Sequence, residues 1–336
     1  MLASPARTSA DVWRVVKPHV RAMEGPDGVL IVDDSIAEKP YTDENDIVCW
    51  HYDHTQGRTV KGINFMTTLY HCAGVSLPVG ITLIAKTEHY IDAKDGKDKR
   101  RSPVGKNEYY RQTPHHPPPA QCCQKAVGRW VRVLTQAVAN QIVFTYVLND
   151  VWFASAENMR FVKHDLHKEF VMPVKTNRKV ALSLADQQQG RYVRVDTLAL
   201  EANTAREVYL EAVHFPLLLV KQVFVNGDGS TGVLYLVTSD TTVTADQVMA
   251  LYRTRWNVEP YHKSLKQNAS LEKSPTHTVT TQTNHFFAAV CGYIKLELLK
   301  ISSKLNHFAL KSKLYLAALH VVFDTLRQLQ PVRLAA

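Results

Sequence analysis

Three carboxylates carry the chemistry this sequence could do. Asp33, with Asp34 beside it, ends the apolar run GVLIVDD at 28–34, and Asp150 ends the run QIVFTYVLND at 141–150. Glu259 lies in the segment LYRTRWNVEPYHKSLKQN at 251–268. Acids at the ends of neighbouring strands come together, because strands lie about 4.8 Å apart. Clustered carboxylates repel one another unless a cation sits between them. Two Mg²⁺ ions, replaceable by Mn²⁺, suit an all-oxygen ligand set. Such a pair activates a hydroxyl nucleophile and stabilises the leaving oxygen of a phosphodiester. Around Glu259, the residues Tyr252, Arg255 and Lys266 complete a pattern with spacings of three, four and seven. On one unbroken helix these four project within a stripe of roughly 60°. A metal ligand would then stand among side chains that grip phosphate.

Each residue alone has a plainer reading. Asp33 and Asp34 are also what a strand-end turn looks like, and Asp150 equally suits the turn before a helix. Glu259 is placed to pair with Arg255 one turn earlier on an exposed helical face. Trp152 and Trp256 read as core aromatics, base stacking being the lesser alternative. Cys49, His51 and His54 have loosely metal-like spacing, but no second ligand pair follows.

The elements that must position these residues follow from periodicity. The run 28–34 reads as a buried strand. Residues 59–72 and 75–86 read as two strands joined tightly at Ala73-Gly74, an antiparallel hairpin. Residues 94–119, with KDGKDKRR at 94–101 and HHPPP at 115–119, read as a solvated polar loop. Helical spacing of apolar residues marks 121–140, then a strand over 141–149, a helix over 154–166 and a strand over 169–174. Residues 179–238 read as almost wholly β, with a turn at 227–230. Helices follow at 244–267, broken or kinked at Pro260, at 283–305 and at 311–329. The expectation is an α/β core interrupted by an all-β block and closed by helices.

Composition is that of an ordinary globular chain: 336 residues, 45% hydrophobic, 21% charged. The net charge of +9 favours a polyanionic partner. The first residues lack the apolar stretch of a signal peptide, and no apolar run approaches the roughly 20 residues that span a bilayer. Five cysteines without repeated spacing suit reduced thiols. A cytoplasmic protein without membrane contact is expected.

Taken together, Tyr252-x2-Arg255-x3-Glu259-x6-Lys266 resembles the YREK signature of DDE transposases of the insertion-sequence-four type. VLIVDDSIAEKP at 29–40 is similar to that family's first-Asp strand. FTYVLNDVWFASAENMRFV at 144–162, followed by EFVMPVKTNRKV at 169–180, resembles its second-Asp region. The resemblance spans roughly residues 12–330. It implies a ribonuclease-H-like core interrupted by an all-β insertion, with C-terminal helices. The corresponding division is a short N-terminal remnant at 1–26, the first part of the core at 27–178, the β insertion at 179–242, and the second part at 243–330. It further implies metal-dependent cleavage of transposon ends in double-stranded DNA and strand transfer of the 3′-OH into target DNA. Asp33, Asp150 and Glu259 would be catalytic metal ligands for two Mg²⁺, with Asp34 as the alternative first ligand. Tyr252, Arg255 and Lys266 would bind phosphate, and a dimer would hold the two ends, in a bacterial cytoplasm on the nucleoid. The alternatives are a nuclease on the same core that cuts without joining, and an inactive DNA-binding remnant.

Two local features shape the expected activity. Pro260 directly follows Glu259; it distorts a helix interior but is tolerated in the first turn of a helix restarting after Asn257. Only a short region precedes Asp33, where relatives carry a longer end-binding region. The expectation is little end-specific transposition by the chain as written. The stretch TPHHPPPAQCC at 113–123 is unlike the helix expected there.

Overall fold

The computed structural model describes residues 4–54, 56–93, 96, 98–103 and 128–328. Its centre is strand β1 (Val29–Glu38), whose first four residues are fully buried. A continuous apolar run of this kind belongs to a strand covered on both faces. β1 is flanked on one side by β3 (Arg58–Cys72), antiparallel, and on the other by β7 (Tyr146–Asn149), parallel. β3 is long enough to carry two partners on its far edge: β2 (Val48–Asp53) on its first half and β4 (Val75–Leu83) on its second. β8 (Glu169–Val174) adds in parallel to β7. The unit β4-β3-β1-β7-β8, three antiparallel strands followed by two parallel ones with helices packed against it, is the expected ribonuclease-H-like core.

Two glycines make close geometry possible in this unit. Gly74 has φ +77 and closes the two-residue β3–β4 link with Ala73 at φ 49, the left-handed pair that such a hairpin turn requires. A side chain at Gly62 would collide with the Ala37 carbonyl on β1.

The sheet continues past β8 into β13 (Thr231–Thr238), β12 (Leu217–Val225), β11 (Ala205–Leu210), β9 (Lys179–Ala181) and β10 (Val193–Arg194). The expected β block is therefore present, but it extends the core sheet and is less regular than expected. Residues 184–188 form a short helix and 195–197 a 3₁₀ turn whose Val195 and Asp196 N–H groups donate to the Arg178 and Thr176 carbonyls, so only 193–194 of the 191–200 stretch is strand. The 94–101 segment also differs: β5 (Glu88–Ile91) and β6 (Asp98–Arg101) form a separate hairpin held by Arg101–Glu88 and His89–Asp98 pairs. Lys94, Asp95, Lys97 and the whole of 113–123 lie outside the described residues.

The helices are numbered in chain order. α1 (Ser9–Met23) buries Val12, Val16 and Val20 against β4, so the span expected as a short remnant contributes to the core. α2 (Arg129–Ala139) packs on β3 and β4; the earlier part of its expected range, 121–127, is outside the described residues. α3 (Ala156–Arg160) runs into a π turn at 161–165, and α4 (Leu184–Gln188) is the short helix in the insertion. α5 (Ala245–Thr254) and α6 (Val258–Gln267) are separated by a 3₁₀ turn at 255–257, and α6 packs on β1. α7 (Val279–Ser303) and α8 (His307–Gln328) close the chain. No described helix is long and apolar enough to cross a membrane.

Candidate active site

Parallel pairing of β1 with β7 runs from Val29↔Tyr146 to Val32↔Asn149. The next residue on each strand is an acid, Asp33 and Asp150, which makes them neighbours at the same end of the sheet. β1 does not stop there: Ser35–Glu38 continue against β3, so Asp33 lies within the strand rather than at its end. Side chains alternate across a strand, so Asp33 and Asp34 point to opposite faces. It is Asp33 that faces the cluster.

Asp150 leaves β7 and caps the 3₁₀ turn at 151–153, its Oδ1 accepting the Trp152 N–H at 3.2 Å. Its other oxygen, Oδ2, lies 3.5 Å from Arg255 Nη2, and Asp33 Oδ2 lies at the same distance from that nitrogen. Glu259 Oε1 is 3.7 Å from Arg255 Nη1. One guanidinium, 7% exposed, thus faces all three acids. Glu259 is half-exposed, so its pairing is the most screened of the three.

Burial dominates the electrostatics. It pushes the Asp33 carboxyl up to about 7; Arg255 opposes the rise, while Asp34 and Asp150 add to it. The Tyr252 hydroxyl is also buried and raised, first by desolvation and further by Asp150 and Asp33, so it remains a hydrogen-bond donor at neutral pH. His262 on α6 is pushed down to about 3 by burial, with Lys266 and Arg255 adding to the effect, so it is neutral.

Asp33, Asp150, Glu259, Tyr252 and Arg255 therefore come together, and Lys266 does not join them. It occupies the last turn of α6, seven residues and about 10 Å along the axis from Glu259. Among the described residues it makes no hydrogen bond or ion pair to the three acids. The stripe expected from an unbroken helix is altered by the 3₁₀ turn, which sets Arg255 between two helices. Pro260 is the third residue of α6, after Asn257 as N-cap. First-turn N–H groups have no intrahelical partner, so its ring costs the helix no hydrogen bond there.

The donor set suits a hard divalent cation: three carboxylates with all-oxygen ligands. Among the described residues, however, no three His, Cys, Asp or Glu side chains are gathered tightly enough to hold one ion. The guanidinium occupies the centre instead, and its breadth keeps the three acids apart. Its Nε is buried without a hydrogen-bond partner, which leaves the arrangement incompletely satisfied.

Two residues read as core aromatics are not in the core. Trp152 is 50% exposed and Trp256 58% exposed, both beside the acids. Arg255 lies over the Trp256 ring at 5.3 Å. The sequence signal that could have corrected this is adjacency to a catalytic-type residue: each tryptophan follows a cluster member by one or two positions.

The fold and this acid–guanidinium cluster define the class. The chain matches the DDE superfamily endonuclease family over residues 3–195, and it belongs to that family. Residues 129–294, which contain Asp150, Tyr252, Arg255 and Glu259, match the transposase DDE domain. This is a transposase-type nuclease domain, a class that acts on DNA and generally uses divalent metal ions. Comparison with curated proteins gives no match.

Proposed function

We propose that the chain is the transposase of an insertion sequence, cutting double-stranded DNA at the element's ends and joining the freed 3′-OH to target DNA. The observation that supports this most is the sharing of one buried guanidinium by Asp33, Asp150 and Glu259 at the end of the β1–β7 pair. In this reading the three acids hold two Mg²⁺ or Mn²⁺. When bound, these ions activate the oxygen nucleophile and stabilise the leaving oxygen.

The remaining side chains bind and orient DNA. Arg255 turns from the acids to a phosphate, which its planar fork fits in bidentate fashion. Tyr252, kept protonated by burial, donates a hydrogen bond to a phosphate oxygen near the cut. Lys266 grips the backbone further along as a point charge. No side chain forms a covalent bond to DNA.

Joining needs two paired ends and therefore a dimer. The exposed side of α8 supports this: Leu316, Leu319, Phe323 and Leu326 repeat at three- and four-residue intervals and are 50–57% exposed. Leu319→Glu with Phe323→Glu should convert a dimer to a monomer in light scattering; an unchanged mass would place the interface elsewhere. The site of action in this reading is the bacterial nucleoid.

The test is incubation with oligonucleotide duplexes carrying the element's ends, in Mg²⁺, Mn²⁺ or EDTA. Metal-dependent nicking followed by joined products is expected, lost in Asp33→Asn, Asp150→Asn and Glu259→Gln. Nicking without joining would replace transposase by nuclease, and DNA binding without nicking would mark a remnant.

A further inference from the structure

A row of exposed rings leads away from the acid cluster. On edge strand β2, alternation buries Cys49 and His51 and turns Trp50 and Tyr52 outward, 50% and 55% exposed. His54 follows at the end of the strand, its ring centroid 4.9 Å from Tyr52 and 5.1 Å from Trp152. Trp152 is two residues beyond Asp150 and is tied to that carboxylate through its own N–H. None of these rings packs into the hydrophobic core. Two lysines sit over them: Lys61 Nζ is 5.8 Å from the Trp50 ring centroid, and Lys175 Nζ 5.5 Å from that of Trp152. Beyond Trp152, Lys175, Arg178 and Lys179 line an open cavity of about 620 Å³ with Val151 and Glu157.

Single exposed rings are ordinary on a protein surface, but a contiguous exposed patch such as this one marks a binding site. Rings alternating with cations match one ligand chemistry in particular, unpaired nucleobases on a phosphate backbone. In a duplex the faces of each base are covered by the bases stacked above and below it, so ring faces such as these select single strand.

We infer that Trp152, His54, Tyr52 and Trp50 form a stacking surface for the unpaired bases of a DNA strand that runs through the acid cluster. Lys175 and Lys61 meet the phosphates of that strand. The inference rests on the DNA-cutting reading and deepens it. A strand separated at the cut would be held by its bases, leaving the phosphodiester at the acids.

The test is fluorescence anisotropy with labelled oligothymidylate and with a blunt duplex, both in EDTA so that nothing is cut. Trp152→Leu and Tyr52→Leu should each weaken single-strand binding about 5- to 150-fold, the range for losing one stacked ring. Trp152→Phe should retain most of it. Duplex affinity should change less than about twofold, and the salt dependence of single-strand binding should stay the same in these ring variants. Lys175→Gln should instead flatten that dependence by about 0.7 in log–log slope. Both substituted rings are half-exposed, and circular dichroism melts establish that the variants fold.

Unchanged single-strand affinity in both leucine variants would overturn the inference. So would a wild-type chain that binds duplex but no single strand. A wild-type chain that binds neither would overturn the DNA reading as well, which separates the two failures.

Discussion

Replacing Arg255 with Met keeps much of the side chain's bulk and removes its charge. The guanidinium lies 3.5 Å from the buried Asp33 carboxylate and from that of Asp150, which is 31% exposed, and 3.7 Å from a third that is half-exposed. Removing one partner of a buried ion pair costs about 3–5 kcal/mol, because the other charge is left unpaired. Here the loss has a limit. The Asp33 carboxyl already sits at about 7, so at neutral pH it can take up a proton rather than remain as an uncompensated anion. The Glu259 pairing is screened by solvent and adds little. A net loss of about 3 kcal/mol is expected. At about 2 °C per kcal/mol for a chain of this size, the midpoint falls by about 6 °C in EDTA. Divalent ions should reverse much of that loss. In the wild type a metal must first displace the guanidinium, whereas in Arg255→Met the acids are open to it. Saturating Mg²⁺ or Mn²⁺ should therefore raise the melting temperature more in the variant than in the wild type. Differential scanning fluorimetry in EDTA and in metal reads both quantities. Equal melting in EDTA, or an equal gain with metal, would refute the idea that Arg255 stands where the cation belongs.

Lys266→Ala should weaken end-DNA binding and reduce the log–log salt slope by about 0.9, one phosphate contact, while leaving the EDTA melting temperature unchanged; an unaltered slope would make Lys266 structural. Pro260→Val should leave metal-dependent cleavage within about twofold of the wild type, because the ring already occupies a first helical turn; a large gain in rate would show that the ring distorts the helix. Glu297 on α7 accepts from the Ser76 backbone and Lys300 and pairs with His307. Burial opposes its ionisation, but these partners outweigh burial and hold its carboxyl below the usual value. A depressed carboxyl contributes stability above its unfolded pKa of about 4.3 and loses it as pH falls through the folded value. Glu297→Gln should thus lower the melting temperature at pH 7, and the difference from wild type should shrink below about pH 4. A difference independent of pH would contradict the assignment.

Much of the core was legible because burial writes itself into sequence. The runs 29–32 and 170–174 are apolar on both faces, and each became a strand beside β7. The tight Ala73-Gly74 link was legible as a hairpin for the same local reason. What depends on a distant partner was not. Residues 35–38 look polar and loop-like, yet they form strand because 62–65 on β3 is there to pair with them. Conversely, 141–144 and most of 191–200 have β-type composition but join no strand ladder, so β7 begins only at Tyr146 and β10 is two residues long. At the site, the order of acids and the Tyr-Arg-Glu spacing were readable, while the break at 255–257 was not. It comes before Pro260 rather than at it, and it is this turn that aims Arg255 at the acids. The outward aromatics at 50, 52 and 54 follow the two-residue period of a half-buried strand, a pattern visible in the sequence once the strand is known.

The most direct measurement is a Mn²⁺ titration followed by electron paramagnetic resonance, on the wild type and on Asp33→Asn, Asp150→Asn and Glu259→Gln. The free-ion signal should fall as up to two ions bind the wild type, and each substitution should weaken that binding by tenfold or more, on the order of one ligand's share. Wild-type protein that leaves the free Mn²⁺ signal unchanged, or binding undiminished in all three variants, would contradict a metal centre built from these carboxylates.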